Sequence, residues 1–164
     1  MIIFDTDILS MFAKVDEIGT LSHLFDEKIA VTPKIRDEIS APLEYGYSFP
    51  LKVLSRVKTV PLSKEALEEY ERFQHNFTLG KGELEAIAYC KKEGAVFATN
   101  DIKAREFAKR EGVFVISLQA ILKALWKKNI KSKEEVREML AKIKEADNLA
   151  VSREAERDIF EETE

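Results

Sequence analysis

The chain has 164 residues, enough for one well-buried α/β core and short for two. Its 45% hydrophobic and 34% charged residues describe a folded protein, not a disordered one. A net charge of −4 excludes nucleic-acid binding by bulk charge alone, and a single cysteine excludes both a disulfide framework and a thiolate metal cluster.

The predicted elements begin with the apolar run MIIF (1–4), a strand that feeds directly into Asp5 and a helix over 6–13. A second helix covers 16–26, followed by the strand KIAVT (28–32) and a helix over 33–43. PLEYGYSFP (42–50), with proline at both ends, reads as a loop. The strand VKTVPL (57–62) precedes helices over 63–76 and 81–93. AVFAT (95–99), a helix over 101–111, VFVIS (113–117) and a helix over 117–128 complete the alternation. Residues 131–164 add two or three helices, assigned to the same domain as 1–130. Most of the strands are continuous apolar runs, as expected when both faces of a parallel sheet are covered. The fold class is therefore α/β, a three-layer sandwich with five parallel strands.

The N-terminus lacks a basic region, and no apolar run approaches the ~20 residues of a membrane span, so the chain reads as cytosolic. Cys90 falls on an apolar helix face and reads as a buried, inert thiol. His23 and His75 are too few for a histidine-rich metal centre.

Ligands of open parallel sheets gather outside the carboxyl ends of the strands, which makes the polar residues there informative. Asp5 ends the first strand and Asp101 follows the fourth, although aspartate is also a favoured helix N-cap. In VTPKIRDEISAP, Thr32 reads as the N-cap and Pro33 as the first helical residue. Glu38 sits at the edge of the stripe Val31, Ile35, Ile39 and Leu43, where an unpaired carboxylate is costly unless it reaches water or a cation. Asp37 and Glu44 face solvent. In TLGKGELEAIAYCKK, Gly80 and Gly82 let the chain turn sharply and Glu83 opens the helix, while Glu85 points elsewhere and is solvated. Four carboxylates drawn together raise each other's pKa values unless a cation neutralises them. Hard oxygen donors select Mg²⁺ or Mn²⁺ over Zn²⁺, and such centres hydrolyse phosphodiesters.

The stretches IIFDTDIL, TPKIRDEI, GKGELEAIA and VFATNDIKARE together resemble the PIN-domain ribonucleases, the family of the VapC toxins. The resemblance covers roughly residues 1–130, and the tail NLAVSREAERDIFEE is similar to the C-terminal helices of a PIN subgroup. It departs from the toxins at Glu83, where they more often carry Asp, and at Asp7, where Ser, Thr or Asn are common. The resemblance implies strand order 3-2-1-4-5, Mg²⁺ or Mn²⁺, an RNA substrate, a homodimer and, for a toxin, an antitoxin partner. It implies Asp5, Glu83 and Asp101 as metal ligands, with Glu38 completing the shell or orienting the attacking water. Thr99 and Asn100 would support Asp101, Thr6 would start the first helix, and Asp7 would be a secondary acid. Lys81, Lys103 and Arg105 would lie on loops suited to phosphate contact.

Asp5 and Asp7 also fit the Asp-x-Asp of haloacid-dehalogenase-type phosphatases, but Leu9 stands where Thr or Val is usual and the late acidic motif is absent. A response-regulator receiver needs an acid ending the third strand, and VKTVPL has none. A catalytically silent PIN scaffold is the remaining alternative.

Overall fold

The structure, a computed structural model, describes residues 1–162. Its five strands are β1 (Ile2–Phe4), β2 (Ile29–Val31), β3 (Lys58–Thr59), β4 (Val96–Ala98) and β5 (Val115–Ile116). They form one sheet in the order β3-β2-β1-β4-β5, every pair parallel. This is the order expected from the resemblance. Strand β1 pairs with both β2 and β4, so the strand order reverses beside it. The Asp5 amide donates to the Ala98 carbonyl at 2.9 Å, extending the β1–β4 ladder to the strand ends.

Among the described residues ten α-helices cover both sides of the sheet: α1 (Thr6–Lys14), α2 (Ile18–Leu24), α3 (Pro33–Ser40), α4 (Pro50–Leu54), α5 (Lys64–Arg72), α6 (Lys81–Glu93), α7 (Ile102–Arg110), α8 (Leu118–Lys127), α9 (Lys133–Asp147) and α10 (Arg153–Phe160). The central strands supply the fully buried Ile3, Phe4 and Phe97, and α1 and α3 close over them with Phe12, Ile35 and Ile39. Each such side chain contributes about 1.5–3 kcal/mol by leaving water. The same core continues into α9 through Val136, Met139, Leu140 and Ile143. Helix α10 is tied down by Ile159, whose carbonyl accepts from Trp126 Nε1 at 2.8 Å.

Several boundaries differ from the sequence expectation. The helix expected over 33–43 stops at Ser40 and tightens into a 3-10 turn, Ala41–Tyr45. Pro42 has no N–H for the α-helical ladder, and Gly46, at φ 86°, ends the turn in the left-handed region. The loop expected over 42–50 thus contains a helical turn, and its last proline opens α4, whose five residues are too few to show a period. Helix α5 ends at Arg72, with a 3-10 turn over Phe73–His75. Strand β3 keeps two exposed residues at the sheet edge. Cys90 is buried, and burial pushes its thiol up to about 12, which makes it a poor nucleophile. Among the described residues no helix is long and apolar enough to cross a membrane.

Candidate active site

Asp5 leaves β1 as the N-cap of α1 and is only 4% exposed. Its Oδ1 accepts from the Thr6 amide and its Oδ2 from Thr99 Oγ1, each at 2.8 Å. Burial pushes its carboxyl up to about 6; the Thr99 hydrogen bond opposes this, and the charges of Asp7 and Glu38 add to it. Thr99, fully buried at the end of β4, also accepts from the Asp101 amide at 3.1 Å. Asp101 then caps α7, its Oδ1 accepting from the Ala104 amide at 2.9 Å. One hydroxyl therefore links both strand ends. The capping reading and the site reading are compatible here, because the caps fix where each carboxylate stands.

Glu38 arrives from the neighbouring α3. It is exposed, and its Oε2 accepts from Thr6 Oγ1 at 2.6 Å. A Cβ placed on Gly82 would lie 2.4 Å from Glu38 Oε1 and 2.9 Å from its Cδ. Gly82 thus leaves space and does not make a turn: helical backbone without a side chain lets the Glu38 carboxylate rest on the first turn of α6. The sharp turn expected at Gly80 and Gly82 uses no left-handed backbone, since neither residue has positive φ.

Glu83 is the next residue. Its Oε1 accepts from the Gly80 amide at 3.3 Å, capping α6. Its Oε2 is buried with no hydrogen-bond partner. Burial first, then the charges of Asp5 and Asp101, push Glu83 up to about 7. Asp7 keeps much of its surface exposed on α1, but its carboxyl is partly desolvated, and this together with the charges of Asp147, Asp101 and Glu38 raises it. The charges of Asp5, Asp7, Glu38, Glu83 and Asp101 thus act on one another at the switch point. None of Asp5, Glu38, Glu83 and Asp101 has a basic partner in an ion pair among the described residues.

The donor set fits a hard divalent cation: it is all carboxylate oxygen, and Glu83 Oε2 is a buried acceptor left over after capping. In this arrangement no three acidic, histidine or cysteine side chains among the described residues stand close enough together to hold a metal ion. Each carboxylate follows its own hydrogen bond, to Thr6 and Thr99, to Thr6 alone, to Gly80 or to Ala104.

The structure places other candidates differently from the sequence expectation. Glu85 is buried, not solvated, and its Oε1 accepts from the Lys34 amide at 2.8 Å. It caps α3 from across the α3–α6 contact, while Thr32 occupies the N-cap position with its hydroxyl buried and unpartnered. Asn100 makes no side-chain hydrogen bond to Asp101 among the described residues; it lines a cleft with Arg105, Leu118 and Ile159. Arg105 donates from Nη1 to the Thr99 carbonyl at 3.1 Å, so it braces the turn that carries Asp101. Lys81 and Lys103 are exposed, in the first turns of α6 and α7. Asp147, at the end of α9, was not singled out by the sequence; its carboxylate pairs with Lys14 at 2.5 Å and its charge acts on Asp7. Nothing local marks it among the acids of the tail; only the packing of α9 on α1 brings it there.

None of the curated proteins compared with the chain matches it. The family model DUF3368, a PIN domain, matches residues 1–164, tail helices included. Together with the strand order and the acids at the switch point, that match shows that the chain belongs to the PIN-domain family, whose members are in general nucleases.

Proposed function

We propose that the chain is a Mg²⁺- or Mn²⁺-dependent endoribonuclease, acting in the cytoplasm as the toxin of a toxin–antitoxin pair and as a homodimer. The observation that carries the nuclease reading is the group of uncompensated carboxylates at the switch point, with Glu83 Oε2 buried and unpartnered. Asp5, Glu83 and Asp101 would hold the cation, and Glu38 would complete the shell or orient water. When bound, a divalent cation makes water a stronger nucleophile and offsets charge developing on the phosphate.

The protein's own residues do the rest. Thr99 keeps the Asp5 carboxylate and the Asp101 turn at a fixed separation, and Arg105 holds that turn from below. Thr6 directs Glu38, and Gly82 leaves it room. Glu83, pushed up to about 7 by burial and by the neighbouring carboxylates, gives up its proton near neutral pH before it can hold a cation. Lys81 and Lys103 would meet the phosphates flanking the cleaved bond. In this reading residues 131–164 belong to the same domain as 1–130, which the shared core through Val136, Met139 and Leu140 supports.

The test is cleavage of a mixed RNA pool with Mn²⁺ or with EDTA, for wild type and Asp101→Asn side by side. Cleavage that needs Mn²⁺ and is lost in the variant is expected. Cleavage retained in EDTA would contradict the metal requirement. No cleavage by wild type, with no Mn²⁺ binding, would favour the scaffold.

A further inference from the structure

The tail is rich in acids, yet α9 and α10 sort their charges. Arg137 and Lys144, two turns apart on α9, line one cleft with Arg153 and Arg157, one turn apart on α10. The cleft has a volume of about 530 Å³. Two of these cations are matched: Lys144 pairs with Glu156, and Arg157 Nε lies 3.6 Å from Glu161. Arg137 and Arg153 have no carboxylate partner among the described residues; the Arg137 guanidinium lies 4.4 Å from the centre of the Phe160 ring. Four cations facing two carboxylates make the cleft positive on a chain whose net charge is −4.

Its position gives the charge a use. Lys144 lies three residues before Asp147, about 4.5 Å along the axis of α9, and the charge of Asp147 acts on Asp7. An acidic centre repels a polyanion until its cation is bound, and a positive groove beside it gives the strand a hold that does not depend on the centre. Guanidinium groups suit this because their planar forks match phosphate oxygens in pairs.

We infer that the α9–α10 cleft binds the phosphodiester backbone of the RNA strand beyond the cleaved bond, with Arg137 and Arg153 as the principal contacts. This rests on the nuclease reading. The role is one of substrate positioning: it lowers KM for long RNA and leaves the reaction at the acids untouched. An acidic segment of a protein partner is the competing occupant.

The experiment measures binding of a labelled single-stranded RNA of about 12 nucleotides in EDTA, where cleavage is silent, across a salt series. Wild type is compared with Arg137→Gln/Arg153→Gln and with Arg137→Lys/Arg153→Lys. Losing two phosphate contacts lowers the slope of log K against log salt by about 1.4, on the order of 25-fold in Kd at 0.1 M relative to 1 M salt. The lysine pair restores most of the slope, and with Mn²⁺ the glutamine pair raises KM for the 12-mer while kcat and the cleavage of very short RNA stay at wild-type values. Unchanged affinity and slope in an RNA-cleaving protein would overturn the cleft and leave the nuclease reading standing. Weakened binding that lysine does not rescue, with a lowered melting temperature, would overturn it as well, because the arginines then serve packing alone. A wild type that neither binds nor cleaves RNA but retains an acidic peptide on these arginines would overturn both readings.

Discussion

Asp5→Asn removes one charge from a buried position and keeps its shape, so its effect on stability can be worked out directly. The carboxyl is raised from an ordinary 3.8 to about 6, chiefly by burial, so its ionised form costs the folded state about 3 kcal/mol at a pH above both values. The folded state binds more protons than the unfolded one between about pH 4 and 6, so stability falls as pH rises through that window. Asparagine escapes this cost but has one acceptor oxygen, where the carboxylate serves both the Thr6 amide and Thr99 Oγ1. That loss removes about 1 kcal/mol. The net gain is about 2 kcal/mol at about pH 8, or a rise of roughly 4–8 °C in melting temperature for a chain of this size. Thermal unfolding of both proteins in EDTA at about pH 8 and about pH 4.5 is the assay. At about pH 4.5 folded Asp5 is protonated but the unfolded carboxyl is still mostly ionised, so the cost falls to about 1 kcal/mol and the hydrogen-bond loss cancels the advantage. A variant no more stable than wild type at the higher pH, or equally stabilised at both, would refute the electrostatic reasoning.

Gly82→Ala drives a methyl group into the Glu38 carboxylate, which swings away because its side chain is exposed. We expect Mn²⁺ affinity and cleavage to fall by about ten-fold while stability changes by under about 1 kcal/mol, the helix gaining from alanine; unchanged calorimetry would show that Glu38 is not needed there. The two glutamates of GELE separate by role: Glu83→Gln abolishes cleavage, whereas Glu85→Gln keeps an acceptor for the Lys34 amide and leaves cleavage near wild type. The reverse ranking would exchange their assignments. Cleavage at subsaturating Mn²⁺ rises with pH through the range of about 6 to 7, as Asp5 and Glu83 lose protons to become ligands; a flat profile there would contradict the raised carboxyls.

Much of the frame was legible because β1, β2 and β4 are continuous apolar runs, and the resemblance supplied the strand order that puts Asp5 beside Asp101. Asp5, Glu83 and Asp101 could be proposed because each stands at a strand end or a helix start, and Glu38 because it borders the apolar stripe of its helix. What stayed hidden depends on contacts between distant segments. Glu85 looks like one more surface glutamate until α6 is seen to press it against the start of α3. Gly82 is read as part of a sharp turn because a sequence cannot show which side chain fills the space a missing Cβ leaves. Arg105 suggests a phosphate contact, yet its guanidinium is bound to the Thr99 carbonyl six residues earlier. Asn100 stands beside Asp101 in the chain, but it lines a different cleft. Asp147 enters only through the docking of α9 on α1, and α4 is too short to leave a periodic trace.

The central claim, that acids from four separate segments form one cation site, is tested most directly by calorimetric titration of Mn²⁺ into wild type, Asp5→Asn, Glu38→Gln, Glu83→Gln and Asp101→Asn. The expected result is saturable binding in wild type that is weakened at least ten-fold by each substitution, with all five proteins folded. Wild type that binds no Mn²⁺, or binding that survives the loss of Asp5 and Glu83, would contradict it.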